Sequence, residues 1–199
     1  MRILYKFQHN HYTPAKDVLQ WLADLFFYII DILAVPELYQ LVTQTFKYKT
    51  RGLNAEELKL TQYFFKDSLM PEFIKVDNTA HLLTHKIAIA YVGFNTINYK
   101  RKLKNSVFIH ELVHIWQYQR YGTVYMGRAI SAQRSKEGYD YGGVSKLYQS
   151  MIRGKRLEDF NFEQQAEIIE DYYKITTSPF LNGDFEKMVY SYYYAHLFY

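Results

Sequence analysis

The sequence predicts an α+β fold, mostly helical, with a small mixed or antiparallel sheet just ahead of a central helix. Three observations predict it. Segments with helix start signals occupy both ends of the chain, and short β-rich runs cluster in the middle. After those runs comes an apolar helix that contains His110-Glu111-Leu112-Val113-His114.

A chain of 199 residues with 49% hydrophobic content suits one well-packed domain and is too short for two full-sized ones. Within it, residues 1–70 read as an N-terminal helical region and residues 71–199 as the core that carries the chemistry. Aromatic side chains make up 19%, including 21 Tyr and 14 Phe, which predicts a Tyr-rich core and argues against disorder.

Thr13-Pro14 opens the first helix, with Thr as N-cap and Pro at the first helical position, where its missing N–H costs nothing. This helix should run to about Ala34 and break at Val35-Pro36. Its apolar run, residues 21–33, is shorter than the ~20 residues a membrane span needs and contains Asp24 and Asp31. A half-buried helix is the expectation. A second short helix covers residues 37–46. Asn54-Ala55-Glu56-Glu57 then forms a capping-box start, with Leu53 and Leu58 as a hydrophobic staple, and that helix should end near Ser68, before Pro71.

Residues 73–77, 86–92 and 96–99 read as strands, with Gly93 as the turn between the last two. Lys100-Arg101-Lys102-Leu103-Lys104 is the one dense basic cluster, and it reads as a solvated loop. A net charge of +4 without a recognition motif argues against nucleic-acid binding. The central helix begins near Asn105 and stops at Tyr121-Gly122, with Gly as the C-terminal cap. Residues 123–158 read as loop-rich, with Gly138, Gly142 and Gly143 shaping a cleft. Residues 160–175 and 184–198 read as two closing helices.

The central helix carries the chemistry. At i and i+4 the two imidazoles share one helix face and can reach one metal ion, while Glu111 stands where a general base holds a water. With seven His in the chain, such a match arises by chance in roughly one chain in a hundred of this composition. The competing reading is a pair of ordinary core histidines. Phe108, Ile109, Leu112, Val113, Ile115 and Trp116 should bury the helix nearly all round. A buried Glu between two His is then costly without a metal or a bonded network, which favours the metal. The chain has no cysteine, so disulfides and thiolate zinc sites are excluded and His and carboxylate remain as ligands.

A catalytic zinc site needs a third protein ligand and an open position. The extension H-E-x-x-H-x-x-G-x-x-H is absent, because Gln117 and Arg120 stand where it requires Gly and His. Glu163 and Glu167, at i and i+4, can both face the central helix. One would bind the metal, and the other would accept the free ring N–H of a ligand histidine. Ala166 beside them permits close helix packing. Glu170 and Asp171 are rival ligands, and His196 is a weaker one. His81 and His85 share the spacing but lack the adjacent Glu, and read as loop or strand-entry residues.

The pairing of His110-Glu111-Leu112-Val113-His114 with Glu163-Gln164-Gln165-Ala166-Glu167 resembles the gluzincin-type zinc peptidases, which join H-E-x-x-H to a later E-x-x-A-D. The resemblance implies a zincin-like fold, Zn²⁺ on His110, His114 and Glu163, Glu111 as catalytic base, and Glu167 supporting a histidine in place of Asp. The segments 108–119, 139–141 and 159–166 are also similar to bacterial Vgr-related and Rhs-associated proteins linked to type VI secretion. This second resemblance covers roughly the second half of the chain and implies a setting, with a secretion-system component as a partner.

The expected function is therefore a zinc-dependent metallopeptidase acting on a peptide or protein. Tyr139, Tyr141, Tyr172 and Arg128 are candidate oxyanion donors, and residues 87–92 are a candidate edge strand for an extended substrate. The alternative is a non-catalytic accessory protein that kept the fold, and a toxic effector protease would differ from the leading reading only in destination. The intact Glu111 weighs against the accessory reading. Residues 1–11 lack the basic-then-apolar pattern of a secretory leader, so the expected location is cytoplasmic, or exported without one.

Overall fold

A computed structural model describes residues 14–46, 50–78, 90–100, 102–178 and 183–198, the side chains of 14–17, 19, 40 and 43–46 aside. Eight helices and four short strands are described: α1 (Pro14–Ile32), α2 (Val35–Phe46), β1 (Thr50–Gly52), α3 (Ala55–Phe65), β2 (Lys75–Asp77), β3 (Ala90–Gly93), β4 (Thr96–Tyr99), α4 (Asn105–Tyr121), α5 (Val124–Arg134), α6 (Gly143–Ile152), α7 (Phe162–Thr177) and α8 (Asp184–Ala195). The fold is α+β, mostly helical, with the sheet ahead of the central helix as expected.

The sheet is mixed, in the order β1-β2-β4-β3. β2 pairs antiparallel with β1 and parallel with β4, and β3 pairs antiparallel with β4 and is an edge among the described residues. Val76, Val92 and Ile97 are buried, and α4 packs on β3 and β4. Two strand expectations need correction. Pro71–Phe73 forms a 3₁₀ turn and the strand begins only at Lys75, because the fixed φ of Pro71 starts a helical turn. The β3–β4 turn is made by Phe94 and Asn95, with Gly93 still in the strand. Phe94 takes a left-handed φ of 57° there, and its ring is held between Tyr39 and Tyr118 at 5.3 and 5.7 Å. The expected N-cap Thr13, the first part of the 86–92 strand, His81 and His85 lie outside the described residues.

Helix boundaries follow their local chemistry. Asn54 and Glu57 form the capping box that starts α3, and Asn161 and Gln164 form one that starts α7. α4 stops at Gly122, whose N–H donates to the carbonyl of Tyr118 at 2.8 Å. Its φ is +70°, and a Cβ there would also meet Asp31 at 2.3 Å, so only glycine fits. Residues 123–158 were expected to be loop-rich; instead they hold α5 and α6. Gly138 and Gly142 lie between these helices and Gly143 opens α6, while the buried residues of α5 (Val124, Tyr125, Ala129, Ala132) recur at helical spacing.

α4 runs through the centre, with residues 108–118 buried all round. It packs against α7, which in turn packs against α8. Ile109, Leu112, Val113, Ile168, Ile169 and Val189 are completely buried where they meet. Phe64 and Phe65 of α3 join the same core. None of the described helices is long and apolar enough to cross a membrane.

Candidate metal centre

α4 and α7 bring three donor atoms together. His110 Nε2 lies 3.6 Å and His114 Nε2 lies 3.4 Å from Glu163 Oε2. Ligands held at about 2.0–2.1 Å from a tetrahedral zinc stand about 3.3 Å from one another, so the triangle has the right size. Close approach of the two helices makes it possible, because Ala166 is fully buried one turn beyond Glu163.

Glu163 is 1% exposed, and its two oxygens differ. Oε1 accepts a 2.7 Å hydrogen bond from Gln133 Nε2 on α5, whereas Oε2 has no hydrogen-bond partner. A buried carboxylate oxygen left unpaired is costly unless a cation sits beside it. Burial alone would raise the Glu163 pKa, but the contact with His110 and the charge of His114 hold it well below the usual carboxylate range. The ring of His110 responds in kind. Burial opposes its charge, yet Glu163 and Glu170 push its pKa up to about 10. The centre therefore favours a positive charge, and its His and carboxylate donors suit zinc.

On the far nitrogens the two imidazoles differ: that of His114 is hydrogen-bonded, whereas that of His110 is buried beside carboxylates with no hydrogen bond. His114 Nδ1 lies 2.8 Å from Gln117 Oε1. The Gln117 amide nitrogen donates to the carbonyl of Phe162 at 2.9 Å and to Gln165 Oε1 at 3.0 Å. Two acceptors on the nitrogen fix the amide orientation, so its oxygen faces His114 and must accept. The network thus assigns the proton to Nδ1 and leaves Nε2 with a lone pair for a metal. His110 Nδ1 faces α7, 3.1 Å from Glu170 Oε2 and 3.7 Å from Glu167 Oε2. The carboxylate nearest His110 is thus Glu170, with Glu167, the expected support, also in ion-pair range. Seven residues from Glu163, Glu170 lies two helical turns on, still on the face turned to α4. Lys174 stands 3.1 Å from Glu170 and 3.9 Å from Glu167 and balances their charge.

Glu111 is 5% exposed, and its Oε2 has no hydrogen-bond partner. Burial pushes its pKa up; His114 and His110 pull it down, and Glu163 and Glu170 add to the rise. A carboxyl held above its ordinary value is suited to taking and returning a proton near neutrality.

Of the four expected oxyanion donors, Tyr139 alone reaches the centre. Its ring lies 6.2 Å from that of His110, and burial together with the charges of Glu163 and Glu111 pushes its hydroxyl up to about 12. The hydroxyl of Tyr141 bonds to Asp171 and, at 2.6 Å, to Tyr190. Tyr172 stacks on Tyr194 at 4.3 Å in the aromatic core, and Arg128 pairs with Asp24 at 2.6 Å. The last three are occupied structurally. Tyr125, which no sequence motif marked, packs its ring 5.7 Å from His114 and donates to the Val92 carbonyl of the edge strand at 3.4 Å.

No family model matches the chain, and no solved structure matches it significantly. Over 71 residues the chain is 32% identical to the type VI secretion system spike protein VgrG2b of Pseudomonas aeruginosa. The matched stretch is 35% of this chain and 6% of that much longer protein. The similarity is local and bacterial.

Proposed function

We propose that this chain is a zinc-dependent metallopeptidase with a zincin-like core, acting in a setting linked to bacterial type VI secretion. One observation carries the reading. Glu163 Oε2, buried and without a hydrogen-bond partner, lies 3.4–3.6 Å from two histidine nitrogens, with Glu111 on the same helix. His110, His114 and Glu163 would hold the ion. A bound zinc supplies a Lewis acid that brings the pKa of a water towards neutrality and polarises a carbonyl.

The remaining work falls to side chains. Glu111 takes a proton from the attacking water and returns it to the amine as the C–N bond breaks. Tyr139 donates to the oxygen that gains charge. Gln117 and Glu170 hold the two imidazoles in register. The edge position of β3 supports an extended peptide as substrate, added as a further strand. The local similarity to VgrG2b supports the secretion setting.

The test is metal content of the purified protein, paired with hydrolysis of a denatured-protein digest. Wild type should hold one zinc and cleave. Glu111→Gln should hold the same zinc with activity reduced at least ~10²–10⁴-fold. Unchanged cleavage by that variant removes Glu111 from the mechanism, and absence of bound metal removes the whole reading.

A further inference from the structure

α1 is amphipathic the wrong way round. Its polar edge faces the protein: Asp24 pairs with Arg128, and Asp31 accepts the backbone N–H of Thr123 at 3.0 Å. Its apolar edge faces solvent. Trp21, Leu25, Phe26, Ile29, Ile32 and Leu33 recur at intervals of three and four along one face, Trp21 and Phe26 each 59% exposed and Ile32 81%. We propose that this stripe is the surface on which a second copy of the chain docks, with the two α1 helices antiparallel about a two-fold axis.

Area is the first argument. At their exposures the six side chains leave roughly 700 Å² of apolar surface in water, using full areas of about 150–250 Å² for the aromatics. A standard interface removes about 800 Å² per partner, whereas the largest patch on a typical monomer is about 300–600 Å². α2 adds Leu38 and Leu41, each more than 60% exposed.

Self-complementarity is the second argument. No charged side chain interrupts the stripe, so it offers nothing for a charged partner to read. The exposed Val18 and Leu22 extend it to residue 18, so its midpoint falls between Leu25 and Phe26. An antiparallel copy about that midpoint sets Phe26 against Leu25 at the centre, Ile29 against Leu22 and Leu33 against Val18, an isologous apolar seam. Charge argues against a membrane as occupant. α1 and α2 carry Asp17, Asp24, Asp31 and Glu37 against Lys16, a balance that anionic headgroups repel. The inference does not depend on the peptidase reading.

The absence of cysteine allows a position-specific test. Antiparallel pairing centres the axis between Leu25 and Phe26. Leu25→Cys, oxidised with diamide, should then link to its own copy and double the 23.9 kDa chain mass. Leu33→Cys alone should not link, because its copy lies about 22 Å away along the helix and a disulfide tolerates about 7 Å between Cα atoms. Mixed with Val18→Cys, it should link. Sedimentation of the unmodified protein at roughly 50 μM should give a dimer, a measurement that does not depend on any variant folding. A monomeric wild type, or equal linking at positions 25 and 33, overturns the proposal. So does a monomer that floats with phosphatidylcholine vesicles, which would assign the stripe to lipid.

Discussion

Gln133 and Glu163 meet through one hydrogen bond, Nε2 to Oε1 at 2.7 Å, and that bond makes the two carboxylate oxygens unequal. One oxygen is tied to α5; the other is left facing His110 and His114. α5 therefore does more than pack, because it fixes which oxygen of a residue on α7 is offered to the centre. α5 is in turn held by α1, through Arg128 with Asp24 and Thr123 with Asp31.

Removing that tie should weaken the centre without dismantling the fold. Gln133→Ala frees Glu163 to rotate, and the apparent zinc affinity should fall about 10–100-fold, the usual cost of losing such a supporting bond. Competition with a chromophoric chelator measures this directly. Glu163→Gln should lose the metal altogether while far-UV circular dichroism is unchanged. Equal affinity in wild type and Gln133→Ala would show that packing alone positions the carboxylate.

Gln117 makes a sharper prediction because its amide serves three partners at once. Gln117→Leu leaves Gln165 Oε1 without its donor and takes from the Phe162 carbonyl, the first of α7, its side-chain partner, inside a region where Gln117 itself is fully buried. Each stranded polar group costs about 1–3 kcal/mol, so urea denaturation should show a loss of at least that size. His114 also loses the acceptor that fixes its tautomer, and zinc affinity should fall with stability. Stability lost with metal affinity retained would separate the structural role of Gln117 from its support of His114.

The central helix was legible because its signals are local: i/i+4 histidines, an apolar surround and a terminal glycine. Glu163 was legible for the same reason, as an acidic residue at i/i+4 with Glu167 and beside the small Ala166. Gln117 and Gln133 were not. An amide is an ordinary residue on any helix, and only packing reveals that one faces His114 and the other Glu163. Glu170 reads from the sequence as a rival ligand, because no motif marks a side chain two turns away on the same face as the carboxylate nearest His110. The helices in residues 123–158 are obscured in the sequence by Gly138, Gly142 and Gly143, although Ala129 and Ala132 carry the helical spacing. β1 is three residues long, too short to display a period.

Asp31 should be worth more to stability than its half-buried position implies. Its carboxylate accepts the Thr123 N–H at 3.0 and 3.2 Å, at the start of α5, where Thr123 provides no side-chain cap. An anion at a helix N-terminus and the bonds of a cap together contribute about 1–2 kcal/mol. Asp31→Ala should therefore lower the melting temperature by about 2–8 °C for a chain of this size. Hydrogen exchange should accelerate first in α1 and the opening turn of α5. Unchanged protection there would mean that the Phe27 ring, which lies so close over Gly127 that a Cβ there would meet it at 2.4 Å, suffices to hold α1.

The last prediction concerns acid, and it rests on Glu57, far from the candidate centre. Burial would raise its pKa, but hydrogen bonds from Arg51, at 2.6 and 2.8 Å, and from the Asn54 N–H outweigh burial and lower it. A carboxylate depressed in the folded state stabilises the fold above the ordinary glutamate value of about 4.3, and that stabilisation is lost as pH falls through the lower folded value. Glu57→Gln removes the charge at every pH and weakens the capping box, at a cost of about 0.5–2 kcal/mol near neutrality. The gap between wild type and variant, measured by urea denaturation at descending pH, should be full at pH 7. It should narrow below about pH 4, as the wild-type carboxylate takes up its proton. A gap that stays constant to the lowest pH at which the protein remains folded would assign the cost to the geometry of the cap, with no contribution from the charge of Glu57.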